Sequence, residues 1–196
     1  ILIILRTNCT ISHPVPGLPP SLLSLYHAHT SKGPLAIKSN PTTAASIALI
    51  NHIIVHQLTI RKGAIALFDF TGQFFVSTIA SICGTDSLRH LHIFKPPGQS
   101  GIVFQAAKWW MLYGSHTSQG REWVGTIIIG AEGSRQWDGL GGTLVSCGWN
   151  GWLNVARDDS NRCINGTSVE EAWEQNQEIQ PITWRAWCEE GEYKWR

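Results

Sequence analysis

The chain's most concentrated chemical resource is indole: all ten tryptophans fall between Trp109 and Trp195. Trp109 and Trp110 are adjacent. Trp149-Asn150-Gly151-Trp152 sets two indoles three apart around a turn-forming Asn-Gly, and Trp184 and Trp187 are also three apart. On extended strands, at least one of Trp109 and Trp110 faces outward, Trp184 and Trp187 take opposite faces, and Tyr193 and Trp195 share one. Ten indoles are hard to hide in one small core, because each buried N–H needs an acceptor. Exposed indoles sit at a membrane interface, cage a quaternary ammonium such as choline, or stack on sugar rings.

Other residue types offer less. His90 and His92 share a face if their segment is a strand, and His52 and His56 share one on a helix. Each pair supplies two metal ligands, with no third indicated, so no metal site is assigned. Asp158 and Asp159 are neighbours and point apart on a strand, as in a solvated turn. Gly139-Leu140-Gly141-Gly142 is a glycine turn without a phosphate-loop lysine, and no nucleophile elbow, H-E-x-x-H or Walker loop occurs. The expectation is a protein that is not an enzyme and has no cofactor. Cys9, Cys83, Cys147, Cys163 and Cys188 show no C-x-x-C spacing, and their odd number leaves one thiol free or bonded between chains. Asn8 and Asn165 open intact glycosylation sequons.

These groups need elements to hold them. Residues 1–41 carry six prolines from Pro14 to Pro41 and read as an irregular extension, with a short helical turn around Ser21 to Leu25. Residues 42–60, free of Pro and Gly, read as a helix with Ile47, Ile50, Ile54 and Leu58 at helical spacing. Short Ile/Val/Phe/Trp/Thr-rich runs follow at 64–70, 73–83, 88–94, 102–108, 123–129, 143–155 and 182–188, the pattern of a strand-rich fold. The last run pairs as a hairpin with 192–196 across Glu189-Glu190-Gly191. Ser168-Val169-Glu170-Glu171 is a capping box that opens a second helix, running to about Glu178. The expectation is a mainly β fold: a single β-sandwich over 42–196, with one or two flanking helices and a Pro-rich N-terminal extension.

Charge follows the tryptophans. Residues 1–108 hold eight Lys/Arg against two acids (+6), and residues 109–196 hold seven against twelve (−5). The net charge of +1 gives no electrostatic case for nucleic acid. No apolar stretch reaches the ~18–20 residues of a membrane span, and the scarcity of Lys beside many Trp, Gly and Asn leans toward a secreted protein.

In order, the apolar segment into Arg61-Lys62, the strand and turn around Asp69 and Gly72, the runs at 102–108 and 124–129, Ser146-Cys147-Gly148-Trp149-Asn150-Gly151-Trp152 with Asn154-Val155, and the closing hairpin with Glu190-Gly191-Glu192 form a series. That series resembles the actinoporin-like pore-forming cytolysins over residues 42–196. The resemblance implies a β-sandwich without enzymatic activity that docks on phosphocholine headgroups through Ser146, Trp149, Trp152 and Trp173. It implies in turn that the helix bearing Ile47, Ile50, Ile54 and Leu58 inserts into the target membrane to form an oligomeric pore. The sequence departs from that family: Cys147 or Gly148 stands where the family has Pro, Trp largely replaces Tyr, and the helix lacks acids and begins after about 41 residues. Two further readings use the same tryptophans. One is a lectin that stacks them on glycans. The other is a virion or filament subunit with an N-terminal arm, whose indoles fill contacts between copies.

Overall fold

Along the chain the elements are α1 (Pro20–His29), β1 (Leu35–Lys38), α2 (Ala44–His56, prolonged by a π-helical turn, Gln57–Arg61), β2 (Ala64–Asp69), α3 (Ser77–Ala80), α4 (Thr85–Leu88), β3 (Leu91–Phe94), α5 (Gly101–Tyr113), β4 (Trp123–Ile129), β5 (Thr143–Gly148), β6 (Leu153–Arg157), β7 (Trp184–Cys188) and β8 (Gly191–Trp195). The computed structural model describes residues 17–29, 33–40, 43–96, 101–131, 143–158, 168 and 182–196.

Strand β2 is buried at all six positions, and β4 at every position after Trp123. Such a run cannot alternate between core and solvent, so both faces need a cover, as in parallel strands joined by helical crossovers. The eight strands form one mixed sheet in the order β3-β2-β4-β5-β1-β6-β7-β8. The pairs from β3 to β6 are parallel, and β7 and β8 continue antiparallel. On one face, α1 and α2 bring Leu22, Leu25, Leu49, Ile50 and Ile53 onto Ile37, Ile65, Leu67 and Val145. On the other, α5 lays Phe104, Ala107 and Met111 over Ala66, Phe68 and Ile128.

The fold is therefore strand-rich with flanking helices, as expected, but a β-sandwich is not what the described strands form. They make a single sheet, and helices occupy the faces where a second sheet would pack. The helix expected over 42–60 is present as α2, with Thr43 as its N-cap. The closing hairpin forms, with Trp184 opposite Trp195 and Cys188 opposite Gly191. Two expected strands are helical instead: 73–83 contains α3, and 102–108 lies within α5. Residues 1–41 do not lie wholly outside the sheet domain. Leu18, Leu22, Leu25 and Tyr26 are core residues, and β1 sits between β5 and β6 with Leu35 and Ile37 fully buried. The helix expected from Ser168 falls outside the described residues.

The path from β5 to β6 explains one glycine. Gly148 pairs with Lys38, yet Leu153 is already beside Ile37 on the other flank of β1, and Trp152 N–H donates to Ala36 O at 2.9 Å. The chain steps over β1 within four residues, pressed onto its backbone. A Cβ on Gly151 would lie 2.2 Å from both Ile37 C and Lys38 N. Those are main-chain atoms in the middle of a sheet, with no room to give. Gly151→Ala is therefore expected to destabilise the fold by about 2 kcal/mol or more, read as a lower urea midpoint. An unchanged midpoint contradicts this placement of the crossing.

Candidate functional site

Sheets of this construction hold ligands outside the carboxyl ends of their parallel strands, and a helix N-terminus there attracts anions. Here the end of β1 leads into α2 through Ser39-Asn40-Pro41-Thr42-Thr43, which contains neither glycine nor lysine. The local polar groups serve one another. Thr43 Oγ1 lies 2.9 Å from Ser39 Oγ and 2.7 Å from Ser46 Oγ, and it accepts the Ser46 N–H. Asp69, at the end of β2, is likewise committed to its own loop. Its carboxylate accepts from the N–H groups of Thr71, Gly72 and Phe74 and from the Thr71 hydroxyl. Burial alone would raise the Asp69 pKa, but these hydrogen bonds hold it below the usual carboxylate value.

A histidine–serine cluster lies beside the edge strand β3. Ser118 Oγ sits 2.9 Å from His90 Nδ1 and 2.7 Å from His92 Nε2. A hydroxyl has one proton to give, so it donates to one ring and accepts from the other. His116 Nε2 lies 3.0 Å from the Met111 carbonyl, to which it donates, while its Nδ1 accepts the Ser118 N–H. Trp110 closes the cluster, edge-on to His92 and 4.8 Å from His116. Ser118 is buried, and a nucleophile needs an open approach that this one lacks. The cluster ties α5 and the approach to β4 onto β3.

Among the described residues, the outer side of α5 is an open apolar surface. Phe104, Ala107 and Met111 point into the core, and Ile102, Gln105, Ala106, Trp109, Leu112 and Tyr113 form the opposite stripe. Ile102 is 80 % exposed, Trp109 62 %, Leu112 52 % and Tyr113 70 %. The Trp109 and Tyr113 rings lie 4.8 Å apart. Other exposed apolar side chains, such as Ile60 and Ile182, do not form a row along one element.

The residues assigned from the sequence are dispersed. Trp149 is 71 % exposed at the turn after β5. Trp152 is half-buried, stacked on His29 at 4.2 Å and packed against the larger core. Ser146 is mid-sheet, in register with Ala36 and Ile128. Trp173, Asn8 and Asn165 lie outside the described residues. Ile50, Ile54 and Leu58 are buried beneath α2, and Ile47 is partly so. At least one of Trp109 and Trp110 does face outward, though on a helix. Tyr193 and Trp195 share a face, stacked at 5.6 Å, and both are buried. Among the described residues, no helix is long and apolar enough to cross a membrane. Comparison of the chain with protein-family models, curated proteins and solved structures finds no match.

Burial, then the nearby His116 and His90, push the His92 imidazole down to about 4. Burial, then Arg121 and Arg89, lower His90 against a weaker opposing pull from Asp86. An unfolded histidine titrates near 6.5, so below that pH the unfolded chain binds more protons. The cluster's contribution is complete above about pH 6.5 and is lost as the pH falls toward 4. Melting temperatures are expected to drop steeply across that window, with a shallower slope for His92→Gln. Equal slopes in the two proteins would contradict this.

Proposed function

We propose that the protein is a non-catalytic interaction module that associates with a second copy of itself through the outer stripe of α5. The observation that carries this reading is the outward stripe from Ile102 to Tyr113, apolar but for Gln105, which is turned away from the core. A helix whose inner face already covers a sheet gains nothing from a second apolar face unless something covers it. Trp and Tyr dominate the energetic centres of protein interfaces, and charge is depleted there. Lys108 is the one charged residue of α5, and it is half-buried off the stripe. Two such stripes therefore meet about a two-fold axis without like charges opposed, and Ala106 leaves room for a large ring from the facing helix.

The pore-forming expectation receives less support. Detaching α2 from the sheet would expose Leu49, Ile50, Ile53 and Ile54, all fully buried, and so dismantle the main core. A phosphocholine surface is a second reading, favoured by the close Trp109–Tyr113 ring pair, since paired π-faces attract a quaternary ammonium.

Light scattering after gel filtration across a concentration series separates the two. Self-association predicts dimers that dissociate on dilution, and Trp109→Glu is expected to weaken the dimer at least tenfold, about 1.4 kcal/mol, with little change in melting temperature. A chain that stays monomeric at all concentrations overturns self-association. If that monomer also co-sediments with phosphatidylcholine vesicles, and Trp109→Glu abolishes this, the lipid reading replaces it.

A further inference from the structure

Three potential metal donors from separate segments converge at one end of the molecule. His29 is the last residue of α1, Cys188 the last of β7, and Glu190 lies in the turn to β8. One nitrogen, one sulfur and one carboxylate oxygen from these residues all lie within 4.8 Å of one another. His29 Nδ1 and Glu190 Oε1 are 2.8 Å apart. The Cys188 thiol hydrogen-bonds the same carboxylate, and the His29 ring is stacked on Trp152 with 24° between planes. We infer that His29, Cys188 and Glu190 form a binding site for a thiophilic divalent cation of the zinc class.

The donor set selects the ion. Thiolate, imidazole and carboxylate suit Zn²⁺, whereas Ca²⁺ and Mg²⁺ require oxygen ligands. Bond lengths of about 2.0–2.3 Å in a tetrahedron put donors roughly 3.3–3.8 Å apart. The His29–Glu190 pair therefore has to open by about 0.5 Å, and the sulfur has to close in by up to about 1 Å. Trp152 serves the role that outer-shell contacts usually serve, holding the imidazole plane in place. The carboxyl-terminal end of α1 adds the negative pole of its dipole beside the site, and Glu189 and Glu192 add negative charge nearby. On binding, the Cys188 thiol proton passes to solvent, and His29 ligates as the neutral imidazole through one nitrogen lone pair, its single N–H held on the other ring nitrogen. Three protein donors leave a fourth position for water. The bound ion then clamps the first helix onto the closing hairpin.

The 196-residue chain, reduced and stripped with chelator, is titrated with Zn²⁺ by calorimetry and with Co²⁺ by absorption spectroscopy. The site predicts one equivalent bound, a raised melting temperature, and a thiolate-to-cobalt charge-transfer band with the d–d intensity of a tetrahedral centre. Cys188→Ser is expected to abolish that band. His29→Gln and Glu190→Gln are each expected to weaken Zn²⁺ binding at least tenfold, with the metal-free melting temperature kept because these side chains lie outside the core. Absence of binding overturns the site, as does binding that survives unchanged in a Cys188→Ser, His29→Gln double variant. Trp109→Glu is expected to leave the titration unaltered.

Discussion

Strand β1 is only four residues long, yet it is held by parallel neighbours on both sides, and the contact of Gly151 with its backbone makes that possible. Remove the close approach and β6 has no route to its place beside Ile37. The hairpin β7–β8 is attached to the sheet only through β6, so it would lose its anchor as well. The arrangement also dictates where helices go. A parallel centre requires crossovers, the crossovers cover both faces, and the buried runs of β2 and β4 follow. Every feature offered here as a site lies on an element positioned by that sheet.

The same constraint explains why, among the described residues, the polar groups at the carboxyl ends of β1 and β2 are already taken. The connection from β1 to α2 is short, and its hydroxyls cap the helix from within. The carboxylate at the end of β2 is spent on folding its own loop. Among the described residues, what faces solvent with unspent capacity is peripheral: the outer stripe of α5, and the His29–Cys188–Glu190 convergence beside the β7–β8 hairpin. A non-catalytic reading grows from that distribution, since groups already satisfied by the fold have little left to offer a substrate.

Much of the local structure was legible in the sequence, and the misreadings have physical causes. The apolar spacing of Ile50, Ile54 and Leu58 revealed α2, and Glu189-Glu190-Gly191 revealed the last hairpin. The stretch 102–108 reads as a strand because Ile102, Val103 and Phe104 are consecutive β-formers. Its helical period shows only when Phe104, Ala107 and Met111 are taken together as the core-facing set. The continuous apolar runs at 64–68 and 127–129 are the sign in the sequence of strands covered on both faces, where a sandwich strand alternates. Strand β1 was hidden by the prolines around it. No spacing rule joins His29 to Cys188 and Glu190, because residues about 160 apart meet only through sheet order.

The proposed contact between copies through the outer face of α5 is open to side-chain oxidation footprinting of the unaltered chain over a dilution series. Trp109 and Tyr113 are expected to become protected as concentration rises, while Trp149, exposed in the turn after β5 and not part of the α5 stripe, reacts at a constant rate. Trp109 reactivity that is the same at every concentration would contradict it.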